Sequence, residues 1–427
     1  MINKKASEII DRIVARIGSA EIVLLESQHK SHPSSQKSFI ATKPKRIIEG
    51  IGSQITITEK GESRQFDADP WKAISEFQQS GKNWMFGYFG YDLKNSTENL
   101  QSKNEQLIEV PDFYFMEPEI LYSVEGSEVT SMLGADDRKK SFNSITPGRL
   151  KNLTPLIHKS EYLENVDIIK QQIKEGDYYE LNYSYPFMAD YEGDSYWLYQ
   201  KMREINPVPF GGFIQRSDLS VSCTSPERFL KRIGNRIFSE PIKGTAARSS
   251  NNDEDDYQKS LLLNEKNRAE NLMIVDLVRH DLSKIAKKGS VNVPKLFDVQ
   301  SFGTVHQLIS TVEAEVSEDV LPIDIIKACF PMGSMTGAPK IEVMKAIDSL
   351  EIYRRNIYSG AIGYIDPDGN FDFNVVIRSA IIKNGKLVYP VGGAITSDSD
   401  PEDEWSETHL KAKVLTKIFD EYNSEAK

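Results

Sequence analysis

Apolar residues along this chain recur in two textures. In the first 150 residues, short runs such as EIVLLES, SQITIT, WMFGYFGYD and EILYSV read as strands between polar loops. SHPSSQKS and DDRKKSFNSITPGR are the most loop-like stretches, and the second predicts a link between two regions, 1–150 and 151–427. From Glu161 onward the elements lengthen. Tyr162, Val166, Ile169 and Ile173 fall at helical spacing, with Ser160 as the expected N-cap and Gly176 as the stop. YYELNYSYPF then reads as a strand, RFLKRIGNRIFS as a hairpin about Gly-Asn, and 264–285 as a long helix. TGAPKIEVMKAIDSL is a glycine turn feeding a helix with Pro339 near its first turn. SGAIGYIDPDGNFDFNVVIRSAIIKNGKLVYPVGG predicts successive antiparallel strands, turning at Pro-Asp-Gly and Asn-Gly. A last helix begins near Pro401 with Asp400 as its cap. Strands joined by hairpins, with helices between the groups, predict an α+β fold.

Composition narrows the function classes. The net charge of −11 over 427 residues argues against nucleic acid as the partner, because phosphate binding needs basic surface. An anionic substrate would need a metal or local basic groups to overcome the same field. Cys223 and Cys329 alone imply no disulfide framework and a reducing compartment. No apolar run approaches the roughly 18 residues of a membrane span, and MINKKASEIIDRIVARIG is spaced as an amphipathic helix. A cytoplasmic protein without nucleic-acid or membrane partners is expected.

Several residues sit where their chemistry is unusual. SEPIKGTAARS sets Lys243 in a short apolar and glycine turn, where a small neutral residue is easier to accommodate. In PEDEWSETHLKAKV, Glu404, Glu407 and Lys411 share one helix face, either as a solvated salt-bridge face or as ligands. Glu270, among Ala269, Leu272, Met273 and Ile274, is costly to bury unless paired or metal-bound. Two carboxylates from separate helices would suit magnesium, which keeps much of its hydration. FPMGSMTGAPK and the glycines of VGGAI are either tight backbone or places where a ligand approaches backbone N–H groups. His306 in an apolar run reads as a core residue or a catalyst. Arg378, in NVVIRSAII, needs an anion, and a bidentate carboxylate matches it best. Tyr358 is a packing residue or a partner in that task, and Glu227 follows a Ser-Pro turn at a strand start. Histidines and cysteines show no zinc spacing.

In ordered segments the chain resembles the chorismate-utilising enzymes. The resemblance is carried by LLES, GYFGYD, GDYYELN, NPVPF, SPERF, PIKGT, RAENLMIVDLVRHDL, GTVHQLISTVEAEV, GSMTGAPK, SGAIGYIDPDG, IRSA and DSDPEDEWSETHLKAK. Lysine in PIKGT, with NPVPF and GSMTGAPK, is similar to the aminodeoxychorismate-forming branch; anthranilate-forming members look like PIAGT. The resemblance implies two antiparallel sheets packed face to face with helices outside. It implies that Lys243 is a nucleophile toward carbon 2 of chorismate, Glu227 the general acid, and His306 a further active-site residue. Glu270 and Glu407 would bind Mg²⁺, with Glu404 holding metal-bound water. Tyr358 and Arg378 would bind the enolpyruvyl carboxylate, with backbone donors at Gly392 and Gly393; Gly244, Thr245, Ser334 and Lys411 would complete the substrate site. Such chemistry needs a neutral amine, so an apolar setting or a positive neighbour that lowers the pKa of Lys243 is expected.

The chain departs from the family pattern at four places, one of them GTAAR, which lacks the proline expected in GTxPR. Glu180 replaces a glutamine, where water-using members carry a lysine; Asn267 replaces an acidic residue; and Ala394 stands in a glycine run. No cysteine sits in a glutaminase elbow, so the resemblance implies a separate glutaminase subunit delivering ammonia. LLES matches the edge of a tryptophan site in anthranilate synthases, placing either a remnant or a ligand pocket at 24–27. Two rival readings stay open: the anthranilate-forming activity and a chorismate-binding subunit without catalysis.

Overall fold

The computed structural model describes residues 4–18, 21–28, 37–134, 145–302 and 305–424. Most of SHPSSQKS and of DDRKKSFNSITPGR lies outside them. Helix α1 (Lys4–Ile17) leads to β1 (Ile22–Glu26), β2 (Lys37–Ile51), β3 (Gln54–Glu59), β4 (Glu62–Asp67), α2 (Pro70–Gly81) and β5 (Met85–Phe89). The one-turn α3 (Lys94–Thr97) precedes β6 (Phe113–Glu125), β7 (Glu128–Leu133), β8 (Arg149–Pro155), α4 (Lys159–Glu175), β9 (Glu180–Glu192) and α5 (Ser195–Ile205). Four strands follow, β10 (Phe210–Arg216), β11 (Leu219–Ser225), β12 (Arg228–Ile233) and β13 (Arg236–Glu240), then β14 (Ile242–Ala247), α6 (Asn252–Leu261) and α7 (Glu265–Ser283). The chain continues with β15 (Asn292–Ser301), β16 (Val305–Glu315), α8 (Pro322–Cys329), β17 (Gly337–Ala338) and α9 (Lys340–Leu350). It ends with β18 (Ala361–Ile365), β19 (Phe371–Asn374), β20 (Ser379–Lys383), β21 (Lys386–Ile395) and α10 (Pro401–Ser424).

All pairings between these strands are antiparallel, and they form two sheets. One runs β8-β9-β21-β20-β11-β10-β1 and ends on β2. The other runs from β6 through β5-β18-β19-β12-β13-β16, with β14 and β15 beside β16. The long β2–β6 ribbon joins them. Its register slips where Pro44 faces Pro118, beside Lys43 at φ 53, because paired prolines donate no ladder hydrogen bonds and the ribbon bends there.

Val23, Phe86, Tyr88, Ile214, Val221, Ile362 and Ile381 share one cluster drawn from both sheets, so the sheets pack face to face. Outside the first sheet, α4 and α10 bury Tyr162, Val166, Leu415 and Ile418 against Leu181, Tyr183 and Tyr185 of β9. Outside the second, α2, α7 and α8 cover Val312, Ala314 and Phe371. Side chains of β9 alternate, so its even positions, Glu180, Asn182 and Ser184, turn away from that helical layer.

The expected hairpins, the long helix, the Gly176 stop at φ 91 and the Asp400 cap are all present, and Asn264 caps the long helix. Helix α4 departs at its start: His158, not Ser160, is the N-cap, and its side chain makes no capping bond. No described helix is long and apolar enough to cross a membrane.

A buried node ties β9 to the loops around it. Arg355 donates to the Asn182 carbonyl at 2.7 Å, the Met335 carbonyl at 2.6 Å and both Glu351 oxygens. Glu351 also accepts from Ser184 N and Oγ. Removing one member of such a pair strands the other charge without water. Arg355→Met is therefore expected to cost about 3–5 kcal/mol in denaturant unfolding; a loss below about 1 kcal/mol would show that β9 is held by other contacts.

Candidate active site

Lys243 stands on a bulge. Lys243 pairs with Leu308 and Thr245 with Gln307, so the β14–β16 register shifts at Gly244. Gly244 has φ 79, and a Cβ there would meet Leu262 at 3.2 Å and Asn267 at 3.3 Å. The bulge re-aims Lys243 while Thr245 faces solvent. The mostly buried Lys243 ammonium donates to Glu180 Oε1 at 2.9 Å and lies 4.0 Å from Glu270 Oε2. This overturns the expected electrostatics. Burial alone would lower the lysine pKa, but Glu180 and Glu270 outweigh it and leave the pKa raised, with Glu227 acting in the same sense. The amine rests as an ammonium.

Glu227 lies where the chain crosses from β11 in one sheet to β12 in the other. It is 7% exposed. Burial pushes its carboxyl up to about 7, opposed by a hydrogen bond from Ser334 and by the charge of Lys243. Ser334, in the turn between α8 and β17, thus reaches this acid directly.

Of the three candidate ligands, Glu270 and Glu407 lie within electrostatic reach of Lys243, and Glu404 neighbours Glu407 instead. Glu270 comes from α7, and burial raises its pKa against Lys243, with the charges of Glu180 and Glu407 adding to the rise. Glu407, on α10, is held low chiefly by Lys411, whose Nζ is 2.6 Å away. Lys411 also donates to the Gly392 carbonyl at 2.9 Å. Glu404 is buried, accepts from Ser399 Oγ at 2.7 Å and is raised in pKa by burial. A Cβ on Gly393 would meet Glu404 Oε2 at 3.2 Å and Lys411 Nζ at 3.7 Å, so this glycine leaves the space those groups face. Among the described residues no three acidic, histidine or cysteine side chains form a group that could hold a metal ion.

Arg378 lies at the second crossing between sheets, from β19 to β20, rather than inside a strand, and at φ 50. No described carboxylate pairs with it; Nη1 reaches Asn206 Oδ1 at 3.4 Å, and burial lowers its pKa. A guanidinium that no described carboxylate pairs is chemically able to take an anionic partner. Tyr358 is buried, and both it and Arg378 lie within electrostatic reach of Tyr389. His306 is fully buried with both nitrogens engaged, Nδ1 with Ser301 Oγ at 2.8 Å and Nε2 with Asp255 Oδ1 at 2.9 Å. It therefore fastens α6 to β16.

Reading the residues missed how Glu180 is used, along with Asn182 and the Asp255 partner of His306. The available signal was the alternation of YYELNYSYPF, which lines Glu180, Asn182 and Ser184 along one strand face. Away from this site, a cavity of about 290 Å³ opens beside Leu25, Glu26 and Ser27 and is bounded by Phe210, Gly211 and Asp372.

Glu227 generates a pH test. Below its ordinary pKa of 4.5 the carboxyl is neutral in both folded and unfolded chains. Between 4.5 and about 7 only the unfolded chain ionises, so stability falls as pH rises and levels off above 7. Glu227→Gln, which cannot ionise, is expected to gain on the order of 3 kcal/mol over the parent above pH 7, with the gap closing toward pH 4.5. A gap independent of pH in thermal melts would refute the shift.

Residues 20–417 match the family of chorismate binding enzymes. The chain is 32% identical over 422 residues to aminodeoxychorismate synthase component 1 of Escherichia coli, covering 92% of each. It is 45% identical over 269 residues to a probable chloroplastic aminodeoxychorismate synthase of Oryza sativa subsp. japonica. That match covers 62% of this chain and 30% of the longer plant protein. The fold is similar to the crystal structure of anthranilate synthase component I from Streptococcus pneumoniae, with a TM-score of 0.76 at 26% identity over 90% of this chain and 92% of that one. The α+β architecture matches that structure, and the relatives include both the aminodeoxychorismate and the anthranilate synthases. This protein belongs to the chorismate-binding enzyme family.

Proposed function

We propose that this protein aminates chorismate, converting chorismate and ammonia to 4-amino-4-deoxychorismate and water, with ammonia supplied by a separate glutaminase subunit. The observation that carries this reading is the Lys243 ammonium aimed from a bulge at buried Glu180, with the neutral-range acid Glu227 within electrostatic reach. Lys243 passes a proton to Glu180 along their hydrogen bond, and the freed amine attacks carbon 2 of the ring. The ring double bonds shift, and the carbon 4 hydroxyl leaves as water with the proton of Glu227. General acid help of this kind is worth about 10²–10⁴-fold. Ammonia then adds at carbon 4, the bond to Lys243 breaks, and the surplus proton returns to Glu227. Arg378 and Tyr358 bind the enolpyruvyl carboxylate, with Gly392, Gly393 and Lys411 at the other carboxylate.

Glu270 and Glu407 reach the site from separate helices, with Glu404 beside the space that Gly393 leaves. That sparse carboxylate set fits Mg²⁺, which takes few protein ligands. When bound, magnesium neutralises the ring carboxylate.

Incubation of the protein with chorismate, magnesium and ammonium is expected to give a product that a lyase converts to 4-aminobenzoate. Direct release of fluorescent anthranilate would establish the rival activity, and binding without turnover an idle subunit. Lys243→Ala should lower the rate by about a hundredfold or more while calorimetry still shows chorismate binding; an unchanged rate removes the lysine from the mechanism. Glu407→Ala should raise the magnesium concentration for half-activity by about tenfold or more. Superimposed titrations would remove Glu407 as a ligand.

A further inference from the structure

The loop that carries β21 into α10 holds a side chain that the proposed chemistry leaves unused. Ser399 is 1% exposed. Its Oγ accepts from Thr396 N at 3.1 Å and donates to Glu404 Oε1 at 2.7 Å. These roles follow from the partners: a backbone N–H only donates, so the hydroxyl hydrogen is left for the carboxylate. Ser399 N in turn donates to the Thr396 carbonyl at 3.2 Å, which closes the loop reciprocally. Half-buried Lys170, on α4, donates to the Ser399 carbonyl at 2.5 Å. Asp400 fixes the other end of the loop by accepting from Glu402 N and Asp403 N at the start of α10. The consequence falls on Glu404. Its Oε1 is committed to Ser399, while its Oε2 is the atom that a Cβ on Gly393 would meet at 3.2 Å. One oxygen is clamped and the other is offered to the space that Gly393 leaves.

We propose that Ser399, braced by Lys170, is a positioning residue for magnesium, its hydroxyl holding Glu404 in the orientation that serves the ion. This inference rests on the magnesium reading above. A glutamate side chain turns about three bonds, and a charge-assisted hydrogen bond to one oxygen fixes where the other lies. Magnesium demands near-ideal geometry, so an oxygen set in advance costs less to organise than a mobile one. Glu407 is built differently: its side chain is 53% exposed and pairs with Lys411 of its own helix. Glu404 is thus the fixed carboxylate of α10 and Glu407 the adjustable one. The brace from Lys170 makes α4, a helix that supplies no ligand, part of the support for the site.

The test is calorimetric titration of magnesium chloride into the full chain, with chorismate saturating and ammonium withheld so that amination adds no heat. The unsubstituted protein must first bind magnesium; failure at that step strikes the magnesium reading itself. Given that binding, Ser399→Ala is expected to raise the magnesium Kd by about tenfold or more. In a Glu404→Gln background the same substitution should change Kd little, because Ser399 acts through that carboxylate. Lys170→Met removes the brace and keeps the hydroxyl, and should raise Kd by a smaller factor; it carries the test if Ser399→Ala does not fold. A Kd unmoved by both single variants overturns the proposal. So does a loss in Ser399→Ala that persists undiminished on top of Glu404→Gln, which would assign Ser399 to the general stability of the loop.

Discussion

The ion pair between Lys243 and Glu180 is the constraint around which the site is organised. Each partner is withdrawn from water, and each would be costly to bury alone. Lys243 belongs to β14 in the second sheet and Glu180 opens β9 in the first, so the pair spans the two sheets. Together with Glu270, it also holds the amine charged.

Two of the candidate residues come from the places where the chain leaves one sheet for the other. Glu227 lies on the β11–β12 crossing and Arg378 on the β19–β20 crossing. At such crossings backbone departs from ladder pairing, so a side chain can turn toward the cleft instead of the core. Arg378 at positive φ and the bulge at Gly244 are two local forms of this departure. On β21, Gly393 leaves room for Glu404 and Lys411 from α10.

The arrangement also answers the difficulty set by a net charge of −11. Lys243, Lys411 and Lys266, from separate parts of the chain, all act on Glu407, and Lys243 and Lys266 also act on Glu270. A local basic field inside an acidic protein suffices for an anionic ligand, because short-range charges in a low-dielectric cleft outweigh distant ones.

Helices, caps, hairpins and the antiparallel meander of the C-terminal half were legible because they depend on residues a few positions apart. The start of α4 was misread, since His158 takes the cap without a side-chain bond and local preference did not decide it. Residue identity alone marked Lys243, Glu227, Glu270, Glu407 and Arg378 as chemically unusual. It did not reveal the charge state of Lys243: its chain neighbours are Ile242 and Gly244, while Glu180 comes from 63 positions earlier. Nor did it reveal that both nitrogens of His306 are engaged, one by Asp255 from a separate helix. The amino-acid order by itself determined the elements and the residue types available for chemistry, through short-range backbone and side-chain preferences. Which of those residues meet, and in which protonation state, was decided by packing, because electrostatic fields and burial act through space between segments far apart in the chain.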